Sequence, residues 1–223
     1  MDQNFTPIVN EPTKHYLQVM YTQIDRDADQ APIFTTHAFN VNPKKYFYPA
    51  STVKLPAAVL SLDKLRRYES LGITKDTKLT IGSSQDWMSP VKDDSTHELG
   101  YATVTHYIKK IFVVSDNDAY NRLYEFLGQE RFNQRMWDLG YLETRIRHRL
   151  SIRLSPDQNK YSNAFSFYSK GTKLLDQPMQ YSSLDLDVNT KSNFIGKSYI
   201  VDGKKIESPM DFSSKNFFSI TEQ

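Results

Sequence analysis

Ser51 and Lys54 stand three residues apart in a helix-forming stretch, which puts them on one face about one turn from each other. A hydroxyl beside an amine pairs a nucleophile with a base. The first turn of a helix also leaves backbone N–H groups unpaired and carries the positive end of the dipole, so an anion forming near Ser51 is stabilised there. The same spacing recurs at Ser61-Leu62-Asp63-Lys64 and Ser89-Pro90-Val91-Lys92, where it reads as solvated surface. Context separates Ser51 from these. Tyr46-Phe47-Tyr48 precede it, an apolar run follows, and a second polar cluster, Ser115-Asp116-Asn117, lies further along. Ser115 offers a hydroxyl that can relay a proton, Asn117 an amide that both donates and accepts, and Asp116 a carboxylate that can brace the turn. The same residue types also open helices as N-caps, and both roles can hold at once.

These residues need elements to position them. Residues 1–14 are polar with two prolines and read as an extended lead-in. The stretch 15–24 is rich in β-branched and aromatic residues, 25–32 supplies turn chemistry, and 33–39 reads as the returning strand of a hairpin. The Ser51 helix is expected to run to about Glu69, burying Leu55, Val59, Leu62 and Leu65, with Gly72 stopping it. Pro56 stands against regular geometry in its first turns. Residues 73–100 read as surface loop with a short strand at 78–81. Apolar residues at 104, 107, 108, 111 and 112 fit a helix ending at Ser115, and two more helices follow, 119–127 before Gly128 and 130–139 before Gly140. The basic stretch 145–154 alternates as a strand does, but its arginines could equally hold a loop against carboxylates. Residues 160–190 look irregular, 198–207 suggest a hairpin around Asp202-Gly203, and the segment from Met210 is too apolar to be a free tail.

Composition narrows the function classes. The 223 residues carry 28 basic and 26 acidic side chains with a net charge of +2 and no basic stripe, which argues against nucleic acid as a partner. Cysteine is absent, excluding disulfides, thiolate catalysis and Cys-bound zinc. The five histidines show no metal-ligand spacing, and His106 reads as a helix-packing residue. Trp87, Met88 and Tyr101 read as aromatic and apolar core or rim. No apolar stretch is long enough to span a bilayer, and the start lacks the regions of a signal peptide, so the protein is cytoplasmic or a signal was removed when the chain was defined.

With Ser51-Thr52-Val53-Lys54 and Ser115-Asp116-Asn117 in register over residues 15 to about 142, the chain resembles the serine β-lactamase and penicillin-binding superfamily, closest to class A β-lactamases. The resemblance implies an α/β (α+β) fold with helices packed on an antiparallel sheet, in one catalytic domain spanning 1–223. It implies Ser51 as acylated nucleophile, Lys54 as participant in proton abstraction, Ser115 as shuttle to the leaving nitrogen and Asn117 as substrate ligand, with the Ser51 N–H giving half an oxyanion hole. It further implies a β-lactam or peptide-like small-molecule substrate, no cofactor, and a periplasmic or secreted location. A D,D-peptidase or esterase using the same residues, or a non-catalytic module keeping the scaffold, are the other readings. Two departures stand out. The family's glutamate, about thirty-five residues after the second motif, falls in a neighbourhood that reads Arg149-Leu150-Ser151-Ile152-Arg153-Leu154, with no carboxylate before Asp157. The third motif, Lys-Thr-Gly, is not found: Lys170-Gly171-Thr172 has another order and comes too early, and Gly196-Lys197-Ser198 lacks a phosphate-loop context. The expectation is a chain that stops before the closing strands, whose open sheet edge invites self-association.

Overall fold

Two β-prone segments near the start of the chain pair as a ribbon. In the computed structural model, which describes residues 4–43, 45–186 and 193–223, β1 (Val19–Arg26) and β2 (Pro32–Phe39) are antiparallel in continuous register from Val19↔Phe39 to Arg26↔Pro32. Asp27 closes the turn by accepting from the N–H groups of Asp29 and Ala31 through Oδ1. The hairpin forms a two-stranded sheet of its own, and its side chains are almost all exposed. The lead-in is not fully extended: α1 (Thr6–Asn10) forms there, with Pro7 in the first turn, where a missing N–H leaves no bond unmade.

A 3-10 turn at Ala50–Val53 leads into α2 (Lys54–Arg66). This resolves the difficulty over Pro56, which is the third residue of α2 and so sits where the N–H has no intrahelical partner. The buried face of α2 differs from the expected one. Leu55, Val59 and Leu62 are exposed, and Lys54, Ala57, Ala58, Leu60, Ser61, Lys64 and Leu65 face inward. Small side chains at 57, 58 and 61 let α4 approach closely, and the two lysines are admitted because each finds carbonyl acceptors on the far side. Ser61 and Lys64 are therefore not solvated: Ser61 Oγ donates to the Ala57 carbonyl, and Lys64 Nζ donates to the Phe126 carbonyl and lies over the Phe126 ring. The helix ends before Glu69, and a 3-10 turn at Glu69–Leu71 carries the chain to Gly72, whose φ of 75° needs the freedom of glycine.

The helical layer continues with α3 (Val104–Val114), α4 (Asn117–Leu127) and α5 (Gln129–Asp138). Thr103 caps α3 and Asp116 caps α4, each accepting a backbone N–H. The layer packs on a three-stranded antiparallel sheet in the order β3 (Lys78–Ile81), β5 (Phe165–Ser169), β6 (Thr172–Gln177). Leu79, Ile81, Phe165 and Phe167 point into the core, where the Phe126 ring meets those of Phe165 and Phe167 at 5.5 and 5.7 Å. Residues 160–190 are thus less irregular than their composition suggests. Lys170-Gly171, both at positive φ, turn the chain between β5 and β6, and β4 (Tyr161–Ser162) pairs with β7 (Gln180–Tyr181). Residues 187–190 of that stretch lie outside the described residues.

Beyond them β8 (Phe194–Ile195) pairs with β11 (Met210–Asp211), and β9 (Tyr199–Val201) with β10 (Lys204–Ile206) around Asp202-Gly203. The final segment is anchored: Phe217 and Phe218 are buried, and Phe217 exchanges backbone hydrogen bonds with Arg145. The fold is a mixed α/β arrangement of helices on antiparallel strands.

Candidate active site

Lys54 is almost fully buried, and its amine lies at the meeting point of α2 and the α3–α4 junction. Nζ is 3.1 Å from Ser51 Oγ, 2.8 Å from Ser115 Oγ and 2.8 Å from Asn117 Oδ1, and it also donates to the Ser115 carbonyl. Ser115 Oγ is 3.2 Å from Ser51 Oγ. The four side chains singled out by residue type and spacing therefore meet around one nitrogen.

Local structure explains why they can. Ser115 ends α3 in the left-handed region, at φ 53°, and this reverses the chain so that α4 begins two residues later. Asp116 fixes that reversal by capping Ala119 through Oδ1, with Oδ2 3.7 Å from Lys110. Ala50, immediately before Ser51, is also left-handed, at φ 47°. The approach to it is held by aromatic contacts: Tyr46 packs on Phe212 and Phe217 and donates to the Asn216 carbonyl, and Tyr48 stacks on His148.

Burial of Lys54 holds its amine below the ordinary lysine pKa, against the opposing pull of Asp116. Among the described residues, no carboxylate pairs with Lys54, and none hydrogen-bonds to Ser51, Ser115 or Asn117. Ser51, Lys54 and Ser115 line a groove of about 530 Å³, flanked by Leu55, Val59 and Phe112. No group of three or more His, Asp or Glu among the described residues is arranged to hold a metal ion. His106 lies 2.8 Å from Thr96 Oγ1 and 3.5 Å from Asp94.

A further residue joins the cluster from the stretch 145–154. The stretch is not a strand; a single bridge ties Arg145 to Phe217. It is instead a loop gripped residue by residue by buried asparagines. Asn133 bonds both backbone groups of Ile146, Asn216 Oδ1 accepts from Arg147 and His148, Asn159 Oδ1 accepts from Arg149, and Asn121 bonds both backbone groups of Leu150. Arg149 adds a buried ion pair to Glu125 at 2.9 Å, while Arg153 pairs with Asp202 in solvent. The loop delivers Ser151, at φ 55°, so that Asn117 Nδ2 donates to Ser151 Oγ at 2.7 Å. Sequence reasoning missed this contact because the gripping side chains come from four distant segments. Asn121, four residues after Asn117 on the face of α4 toward the loop, is the one local signal.

A helical layer on antiparallel strands is the mixed α/β architecture of a β-lactamase-like fold. A family model described as the beta-lactamase enzyme family matches residues 5–182, and the chain belongs to that family. No curated protein and no solved structure matches it.

Proposed function

We propose that the chain is a serine acyl-transferase that opens a β-lactam or peptide-like amide through an ester on Ser51. The observation carrying this reading is the single amine within reach of both hydroxyls and the Asn117 amide. A neutral amine has two N–H groups and one lone pair. The Ser115 carbonyl and Asn117 Oδ1 can only accept, so they take the two hydrogens and leave the lone pair for a hydroxyl. Lys54 in that state is a general base for Ser51. In the step itself, Ser51 Oγ bonds to the carbonyl carbon, its proton passes to Lys54, and the C–N bond breaks as Ser115 hands a proton to the leaving nitrogen and is reprotonated by Lys54. The Ser51 N–H would give part of the oxyanion site and Asn117 would bind the substrate's amide group.

Among the described residues no carboxylate hydrogen-bonds to the cluster, which favours a long-lived ester, hence a penicillin binder or slow hydrolase, over a fast lactamase. Intact-mass measurement after exposure to penicillin tests the reading. The expected result is an adduct of the whole penicillin mass, since the opened ring stays attached, and no adduct on Ser51→Ala. An unmodified wild-type chain that also turns over no chromogenic cephalosporin would refute the enzymatic reading and leave a non-catalytic module. Turnover of a chromogenic cephalosporin against that of a D-Ala-D-Ala peptide separates lactamase from peptidase.

A further inference from the structure

Four buried asparagines and an ion pair fix residues 146–150 one after another, and the residue this scaffold presents at its end is Ser151. A loop held this tightly, finishing in a left-handed serine, retains a conformation that is unfavourable for a non-glycine residue. The hydroxyl so placed touches the site at one point, Asn117 Nδ2. Asn117 is therefore held at both ends of its amide, Oδ1 by the Lys54 amine and Nδ2 by Ser151, with one Nδ2 hydrogen to spare.

We propose that Ser151 is a positioning residue for acylation: it anchors the Asn117 amide so that Oδ1 stays on Lys54 and the second Nδ2 hydrogen remains available to the substrate's amide carbonyl. This rests on the acyl-transfer reading of the cluster. Without the anchor the amide is held by the Lys54 bond alone and can turn over about its last torsion. Nδ2 can then occupy the Lys54 lone pair that Ser51 requires, and the donor to the substrate is lost from its place. Ser151 acts through Asn117 and not through the fold.

Ser151→Gly removes the hydroxyl while suiting the positive φ, so the fold is not strained by the change. The assay is the rate of penicillin ester formation, followed by intact mass over time across a range of pH, in four chains: wild type, Ser151→Gly, Asn117→Ala and the double variant. The expected result is a fall of about 2- to 12-fold in Ser151→Gly, as for one neutral hydrogen bond. The acidic limb of its pH profile should move to lower pH, because Oδ1 no longer stabilises the Lys54 ammonium. In the Asn117→Ala background Ser151→Gly should have no further effect. A Ser151→Gly chain that acylates as wild type does, or an undiminished loss in the Asn117→Ala background, would overturn the proposal while leaving the acyl-transfer reading intact. A wild-type chain that neither takes up penicillin nor turns over a chromogenic cephalosporin would overturn both.

Discussion

Helix α2 carries two buried lysines, and Lys64 gives the sharper physical test because it lies away from the chemistry. Among the described residues it has no carboxylate partner; Nζ donates to the Phe126 carbonyl and, at 2.5 Å, to Gln177 Oε1. Burial, reinforced by Arg67, brings its pKa from 10.5 down to about 7. The folded value lies below the unfolded one, so between the two the unfolded chain holds a proton that the native state has released. Stability must then rise with pH across that window, while below about pH 7 both states are protonated and the full burial penalty applies. Integrating these two pKa values gives about 2.5 kcal/mol of added stability between pH 6 and 9, an upper figure since the carbonyl acceptors and the Phe126 ring favour the charged form. Lys64→Met keeps the volume and removes the titration. The Phe126 carbonyl retains the Gln177 Nε2 donor at 3.1 Å, so only one acceptor is left unpaired. Urea unfolding of both chains at pH 6 to 9 should show the stability difference moving toward wild type as pH rises. A difference flat over that range would refute a depressed Lys64.

Two other outcomes follow from the same geometry. The rate of ester formation on Ser51 should rise with pH with a midpoint below the ordinary lysine value; Asp116→Asn, which keeps a capping side chain but removes the charge that raises the Lys54 pKa, should shift that midpoint lower still, and an upward shift would contradict the assignment. Glu125→Ala leaves the buried Arg149 guanidinium without its carboxylate, while Arg122 keeps Asp118 at 3.3 Å, so the urea midpoint should fall by the equivalent of about 3–5 kcal/mol, and an unchanged midpoint would show the ion pair to be dispensable.

The elements legible in the sequence were those with a strong local signal. Periodicity places α3, glycine stops delimit α4 and α5, and Asp202-Gly203 marks a hairpin. The Ser51–Lys54 pair was legible because three residues on a helix translate directly into geometry, whereas the approach of Ser115 and Asn117 from some sixty residues away was an expectation of the family resemblance. The buried face of α2 was not legible. A hydrophobic stripe predicts burial only when the neighbouring element covers it, and here α4 packs on the alanine and lysine side, leaving Leu55 and Val59 exposed. Strands β5 and β6 were missed for a different reason. Phe165-Ser166-Phe167 alternates, but its partner Thr172–Gln177 carries a register shift at Phe167/Tyr168 and blurs the pattern. The loop 145–151 lies beyond any local rule, because its conformation is set by side chains from α4, α5 and two later segments.

Three left-handed non-glycine residues bear on the cluster: Ala50 beside the nucleophile, Ser115 within it, and Ser151 against Asn117. Each conformation is unfavourable by itself, and each is stabilised by neighbours that do no chemistry. Ala50 is held by the Tyr46 and Tyr48 contacts, Ser115 by the Asp116 cap, and Ser151 by the asparagine grips. Strain of this kind survives only where the surroundings determine the backbone more strongly than the residue resists it. The converging hydroxyls and amide are thus a consequence of the scaffold at a distance. That is why the Asp116 cap and the Glu125–Arg149 pair, neither of which touches Ser51, belong to the same physical system as the nucleophile.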